Sequence, residues 1–247
     1  MQEWGLDFKI TSPNYYTPKY SGPPKFSMPI ISSKTQNSTN ESIEAIIIGL
    51  DVQSGDKILA IGGSGDQAFA MIGKGAIITT VDSDEDQLNF MFRRLNQIQN
   101  GDYEKFMSNR EWKGIRNQPY FSESFFQNIH SNTNNISIIQ GNIFEIAEKN
   151  ESQFDKVYLS NAPTYEIGFP HYQEVRKRIA RGATGLKIGG LLYFSENYGW
   201  AISSQEFVRE GLNFLKKESQ RARKLETENK SNFGWIPYVF KKGETEL

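Results

Sequence analysis

Gly62, Gly63 and Gly65 crowd into four positions directly after an apolar run, Ile58-Leu59-Ala60-Ile61, and a carboxylate, Asp66, stands at their end. A second apolar run, Ala76 to Val81, stops at another carboxylate, Asp82. Glycines let a backbone pass close beneath a ligand, and a helix that starts after them offers free N–H groups. An acid about 20 residues beyond such a turn can accept hydrogen bonds from both hydroxyls of a ribose. This spacing suits a grip on an adenosyl group, with Gly62, Gly63, Ser64 and Gly65 along the ligand and Asp82 on its sugar. The elements it requires are a strand over 58–61, a helix over 67–72 and a second strand over 76–81. Together they make the first half of a nucleotide-binding βαβ unit.

The charge at the turn selects among adenosyl ligands. Gly63-Ser64-Gly65-Asp66-Gln67-Ala68 differs from G-x-G-x-x-G in its last position, where alanine is tolerated. Asp66 at the mouth of the helix repels a pyrophosphate and suits a cation. S-adenosylmethionine carries a sulfonium and an ammonium and no phosphate, so the sign of the charge favours it over NAD as cofactor, with Asp66 beside its ammonium. The competing reading is that Asp66 only caps the helix. A P-loop is excluded, because no Gly-Lys-Ser/Thr follows the glycines.

The chain as a whole narrows the field further. Its 247 residues suffice for one domain with a full core, and 37% hydrophobic, 13% aromatic and 23% charged residues fit a globular protein. A net charge of −1 gives no footprint for nucleic acid, which is disfavoured as a partner. There are no cysteines, hence no disulfide, thiolate metal site or thiol nucleophile, and two histidines, His130 and His171, argue against a histidine-rich metal site. The N-terminus lacks the pattern of a signal peptide, and no apolar run approaches the roughly 20 residues that span a bilayer, so a soluble, cytoplasmic protein is expected.

Residues 1–40 are broken by Pro13, Pro18, Pro23, Pro24 and Pro29 and read as an irregular N-terminal arm. Residues 41–247 read as one α/β domain with an insertion at about 101–130. Glu41 to Leu50 has helical spacing. Asp84 to Gln99 is amphipathic, with Leu88, Met91, Phe92, Leu95 and Ile98 on its core face and acids in its first turn. In the insertion, Trp112, Tyr120, Phe121, Phe125 and Phe126 suit either a lid or acceptor pocket, or a satellite core. Further strands are expected over Ile136–Gln140, Phe154–Ser160, Leu191–Ser195 and Phe233–Lys242, the last on an edge or at a bulge because of Pro237. Further helices are expected over Pro170–Lys187 and Ser204–Arg223, the latter continuing into a charged, solvated tail. Alternating strands and helices imply a Rossmann-like, mostly parallel sheet covered on both faces, with ligands at the carboxyl ends of the strands. The glycine turn, Asp82, Asn142 and Asn161 all fall at those ends.

With those residues in view, the chain resembles the class I S-adenosylmethionine-dependent methyltransferases over roughly residues 45–240. ILAIGGSGD resembles that family's glycine motif and TTVDSDEDQ its acidic strand end. Gly141-Asn142 falls at its adenine position, SNAPTY resembles its motif after the fourth strand, and KIGGLLYFSE resembles its turn into the fifth. More narrowly, GSGDQAFAMI, DSDEDQLNFMFRRL, DYEKF and YLSNAPTY are similar to the betaine-lipid type 3-amino-3-carboxypropyltransferases. The resemblance implies Asn142 on the adenine amine, and Asn161 and Tyr165 at the reacting centre, where an amide carbonyl and a phenol can aim a nucleophile's lone pair. It implies transfer of a 3-amino-3-carboxypropyl or a methyl group to a small-molecule or lipid-like acceptor. His171, Glu166 and Glu196 are candidates for a general base, and His130 reads as structural. Two other readings stay open: a nucleic-acid or protein methyltransferase, since SNAPTY echoes the Asn-Pro-Pro-Tyr of base-modifying enzymes, and a non-catalytic S-adenosylmethionine-binding protein.

Overall fold

The computed structural model describes residues 38–108, 119–164, 172–196, 211–229 and 234–244. The N-terminal arm expected over residues 1–40 lies, up to residue 37, outside the described residues, and so do Trp112, Tyr165, Glu166 and His171.

Short apolar runs bounded by glycines and polar turns become the parallel strands of a sheet buried on both faces. These are β1 (Lys57–Ile61), β2 (Ile77–Asp82), β3 (Ile136–Gln140), β4 (Phe154–Ser160) and β5 (Leu186–Glu196). Two more strands, β6 (Leu212–Phe214) and β7 (Ile236–Lys242), complete a seven-stranded sheet of order β3-β2-β1-β4-β5-β7-β6. The first five are parallel, and β7 runs antiparallel to both β5 and β6. The order reverses between β1 and β4, so the carboxyl ends of these two strands flank the position where such sheets bind ligands.

The helices are α1 (Ile43–Gly49), α2 (Asp66–Gly73), α3 (Glu85–Gln99), α4 (Tyr103–Phe106), α5 (Glu123–Ser131), α6 (Ile143–Lys149), α7 (Tyr172–Thr184) and α8 (Lys216–Glu228). Several start on side chains that accept a free first-turn N–H: Ser42 from Ala45, Asp84 from Asp86 and Gln87, Ser122 from Phe125, and Asn142 from Phe144. Strand pleating sends alternate residues to opposite faces. Tyr158 joins the core under α1, α2, α3 and α5, while its neighbours Val157 and Leu159 join a second core under α6 and α7. Phe106, Phe121 and Phe126 are buried with Phe69 in the first core, their rings 5.3–6.1 Å apart. Of the two readings of the insertion, its described aromatic residues therefore take that of core. Each such ring contributes about 1.5–3 kcal/mol by leaving water.

Several sequence expectations are corrected. The helix expected over 170–187 ends at Thr184, and β5 begins at Leu186. The Lys187–Gly190 stretch is a bulge, not the turn ahead of the strand: the ladder jumps from Phe154↔Leu186 to Lys156↔Leu191, with Gly189 at φ +83. The helix expected over 204–223 is interrupted, because Leu212–Phe214 pair with β7 and α8 starts only at Lys216. Its charged continuation is not wholly solvated, since Ser219, Ala222 and Glu226 are buried. Helix α6 was not expected at all, although Asn142 caps it. Pro237 sits in an inner strand, yet β6 reaches only Phe240–Lys242, so nothing in the ladder asks Pro237 for an N–H.

Candidate functional site

The glycine turn closes directly on β1. Gly62 donates its N–H to the Val81 carbonyl (2.7 Å), and Gly65 donates to the Gly62 carbonyl (3.0 Å). Gly63 and Gly65 have φ of +52 and +80, in the left-handed region that glycine enters without strain. Gly62 is glycine for a different reason: a Cβ there would lie 2.9 Å from both Cβ and Oδ2 of Asp82.

Asp82 ends β2 beside this turn. Its Oδ2 accepts the Gly63 N–H at 2.8 Å and its Oδ1 the Asp84 N–H at 3.0 Å. Burial raises its carboxyl above the ordinary carboxylate range, with the Asp84 and Gly63 N–H groups opposing. Asp82 also aligns with Gln140 at the end of β3, and its carbonyl accepts from Gly141, which brings Gly141-Asn142 alongside. Asn142 is exposed, and its Oδ1 accepts the Phe144 N–H at 2.9 Å as the cap of α6.

Asp66 occupies a closed environment. Its Oδ1 meets Arg94 Nη1 at 2.6 Å, and its Oδ2 accepts from Ser64 Oγ (2.8 Å) and from the Thr39 N–H (2.7 Å). Asp66 is fully buried, and Arg94 is nearly so. The guanidinium also donates to the Ser64 carbonyl (2.6 Å) and lies over the rings of Phe69 (4.9 Å) and Phe106 (4.6 Å). Burial lowers its pKa to about 10, against the pull of Asp66. The negative charge that suggested an ammonium partner is thus neutralised from within the chain.

At the other side of the switch in strand order, Ser160 ends β4 with φ +51, a strained value for a residue with a Cβ. Asn161 follows, with its carbonyl taking both the N–H and the hydroxyl of Thr164 at 2.9 Å and its side chain half-buried. Glu196, at the end of β5, is buried and accepts from Tyr238 OH at 2.9 Å.

Sequence reasoning missed Glu41. It lies just ahead of α1, almost wholly buried, and its Oε1 accepts from Tyr158 OH (2.9 Å) and Ser160 Oγ while Oε2 accepts from Ser195 Oγ (2.6 Å). Burial raises its carboxyl, and the three hydroxyls hold it down. Its partners stand 117–154 residues away in sequence, so no local pattern marks it.

The strand order with its reversed seventh strand defines the class of fold: Rossmann-like and class I methyltransferase-like. No protein-family model matches the sequence, and neither does any curated protein. Among solved structures the chain is similar to the [4+2]-cyclase SpnF, with 9% identity, 81% of this chain and 79% of that chain covered, and a TM-score of 0.49. It is similar to a putative sarcosine dimethylglycine methyltransferase from Galdieria sulphuraria, with 15% identity, 83% of each chain covered and a TM-score of 0.47. A third is an S-adenosylmethionine-dependent methyltransferase from Thiobacillus denitrificans in complex with S-adenosyl-L-homocysteine, with 11% identity, 86% and 96% covered and a TM-score of 0.48. Likeness of this degree concerns the course of the chain, and the fold class rests on the sheet itself.

Proposed function

We propose that the chain is an S-adenosylmethionine-dependent transferase that passes a 3-amino-3-carboxypropyl or a methyl group to a small-molecule or lipid-like acceptor. The observation that carries this reading is the junction of the glycine turn with Asp82. Gly62 lets the two elements touch, the Gly63 N–H fixes one carboxylate oxygen, and the acceptor sites of a carboxylate number about four, so capacity for ribose hydroxyls remains. Gly62, Gly63, Ser64 and Gly65 would line the amino-acid arm, and Asn142 would stand at the adenine edge. Asp66 does not fit a role on the ammonium, because Arg94 already neutralises it; its work is to brace the turn.

When bound, the cofactor supplies a sulfonium whose neighbouring carbons are open to displacement. The chain's part is to hold the acceptor. The Asn161 amide and the Tyr165 phenol would accept the nucleophile's N–H or O–H and aim its lone pair, which is chiefly positioning. The narrower aminocarboxypropyl reading draws on the motifs GSGDQAFAMI, DYEKF and YLSNAPTY, and transfer to a lipid hydroxyl would in addition need a proton acceptor.

The test is incubation of the purified protein with S-adenosylmethionine and a cell extract containing lipids, with mass spectrometry of the nucleoside product. Methylthioadenosine formed only with the protein supports aminocarboxypropyl transfer, and S-adenosylhomocysteine supports methyl transfer. Neither product, with the cofactor bound in calorimetry, refutes the transferase; absence of binding refutes the cofactor as well.

A further inference from the structure

Glu41, Asp66 and Glu196 are buried carboxylates at the ligand end of the sheet, and the first two are compensated in different ways. Asp66 has Arg94. Glu41 has three neutral hydroxyls, from Tyr158, Ser160 and Ser195, and among the described residues no lysine, arginine or histidine forms an ion pair with it. Hydroxyls satisfy lone pairs but leave the charge in place, and a charge held away from water is ordinarily matched by an opposite one. The buried Tyr193 hydroxyl lies under the influence of both Glu41 and Glu226.

The surroundings of Glu41 point to the ligand end and not into the core. Its donors come from the carboxyl-terminal ends of β4 and β5, one of them on the strained Ser160 immediately before Asn161. Thr39 ties Glu41 to the glycine turn: its N–H is on Asp66 Oδ2, and its hydroxyl accepts both the Glu41 N–H (3.2 Å) and Gln67 Nε2 (2.6 Å). Gln67 is buried on the first turn of α2, reaches Tyr158 OH at 3.2 Å, and leaves its Oε1 without a hydrogen-bond partner among the described residues. A buried acid lacking a cation and a buried amide oxygen lacking a donor therefore share one network, and both lack what an ammonium group supplies.

We propose that Glu41 is the counter-ion for a cationic group of the ligand held at these strand ends. Resting on the cofactor reading above, that group is the ammonium of the S-adenosylmethionine amino-acid arm. Glu41 thereby takes the role that the sequence suggested for Asp66, and Gln67 Oε1 is a second acceptor for the same group.

The experiment is calorimetric titration of wild type and Glu41→Gln with S-adenosylhomocysteine, which carries the arm, and with methylthioadenosine, which lacks it. Removing a hydrogen bond to a charged group should weaken S-adenosylhomocysteine roughly tenfold to a hundredfold and leave methylthioadenosine unchanged. Equal affinities of wild type and Glu41→Gln for S-adenosylhomocysteine overturn the assignment, and so does a matching loss for both ligands. Should Glu41→Gln not fold, thermal stabilisation of wild type by S-adenosylhomocysteine is compared with that by its deaminated analogue, and equal stabilisation overturns the assignment. Binding of neither nucleoside by wild type fails the cofactor reading itself, a separate result from the loss of Glu41 alone.

Discussion

Replacing Arg94 by methionine tests the way the glycine turn is built. In the native arrangement Arg94 Nη1 lies 2.6 Å from Asp66 Oδ1 and 2.6 Å from the Ser64 carbonyl, with both side chains almost fully buried. Methionine keeps much of the packing between Phe69 and Phe106 but removes the charge, leaving Asp66 with Ser64 and Thr39 alone. Breaking a buried pair by taking one partner costs about 3–5 kcal/mol. At roughly 2–4 °C per kcal/mol for a domain of this size, that is a fall of about 6–20 °C in melting temperature. Asp66→Asn with Arg94→Met removes both charges together and should recover most of the loss, since the cost lies in the unmatched charge. Urea denaturation of the three proteins measures this. A single variant within about 1 kcal/mol of wild type, or a double variant no better than Arg94→Met, refutes the view that this pair braces the turn.

Gly62→Ala should cost about 1–3 kcal/mol in urea denaturation and weaken S-adenosylmethionine in calorimetry, because its Cβ would meet Asp82 at 2.9 Å. Asn161→Ala should spare cofactor affinity and cut turnover about a hundredfold in single-turnover kinetics; a large loss of affinity instead would move Asn161 to the cofactor. The pH dependence of stability should carry the sign of Glu41. Its folded carboxyl is raised by burial above the ordinary 4.5, so its contribution is fully present below that value and is lost as pH rises through the raised one. Tyr158 and Tyr193 beside it are pushed well above their ordinary values, chiefly by burial, and stay neutral. In thermal melts of the ligand-free protein from about pH 4 to pH 8, Glu41→Gln should therefore gain on wild type as pH rises, and a constant difference would count against a buried, titrating Glu41.

The sheet was legible in the sequence because its strands are short apolar runs with punctuation at both ends. Ile136–Gln140 and Phe154–Ser160 coincide with β3 and β4, and Asp84–Gln99 differs from α3 only by its cap. The junction of the glycine turn with Asp82 was legible for the same reason, since its parts are close in sequence and the βαβ unit is local. Beyond residue 185 local signals mislead. Gly189 and Gly190 read as a turn but form a bulge, and Leu212–Phe214 become a strand because β7 is there to pair with them. The reading of Asp66 rested on its charge, and Arg94, which cancels that charge, is brought to it by a helix packing that no spacing rule displays. Glu41 is the extreme case, a single acid whose environment is made wholly by distant strands.

The segment that carries Glu41 is fastened to the far end of the chain. Trp235 Nε1 donates to the Asn40 carbonyl (3.0 Å), the Ser42 N–H goes to Glu226 Oε1 (2.9 Å), and Asn229 Nδ2 goes to Ser42 Oγ (2.8 Å). During translation at about 5–20 residues per second, β1, β2 and the glycine turn emerge long before Glu226 and Trp235 do. Until those residues leave the ribosome, the segment of Thr39 and Glu41 lacks its ties to α8 and β7, although Asp66, Gln67, Tyr158, Ser160 and Ser195 are already there to receive it. A polypeptide released before them would hold Glu41 from β4 and β5 alone, so the seat of this acid is completed only when Glu226 and Trp235 have been made.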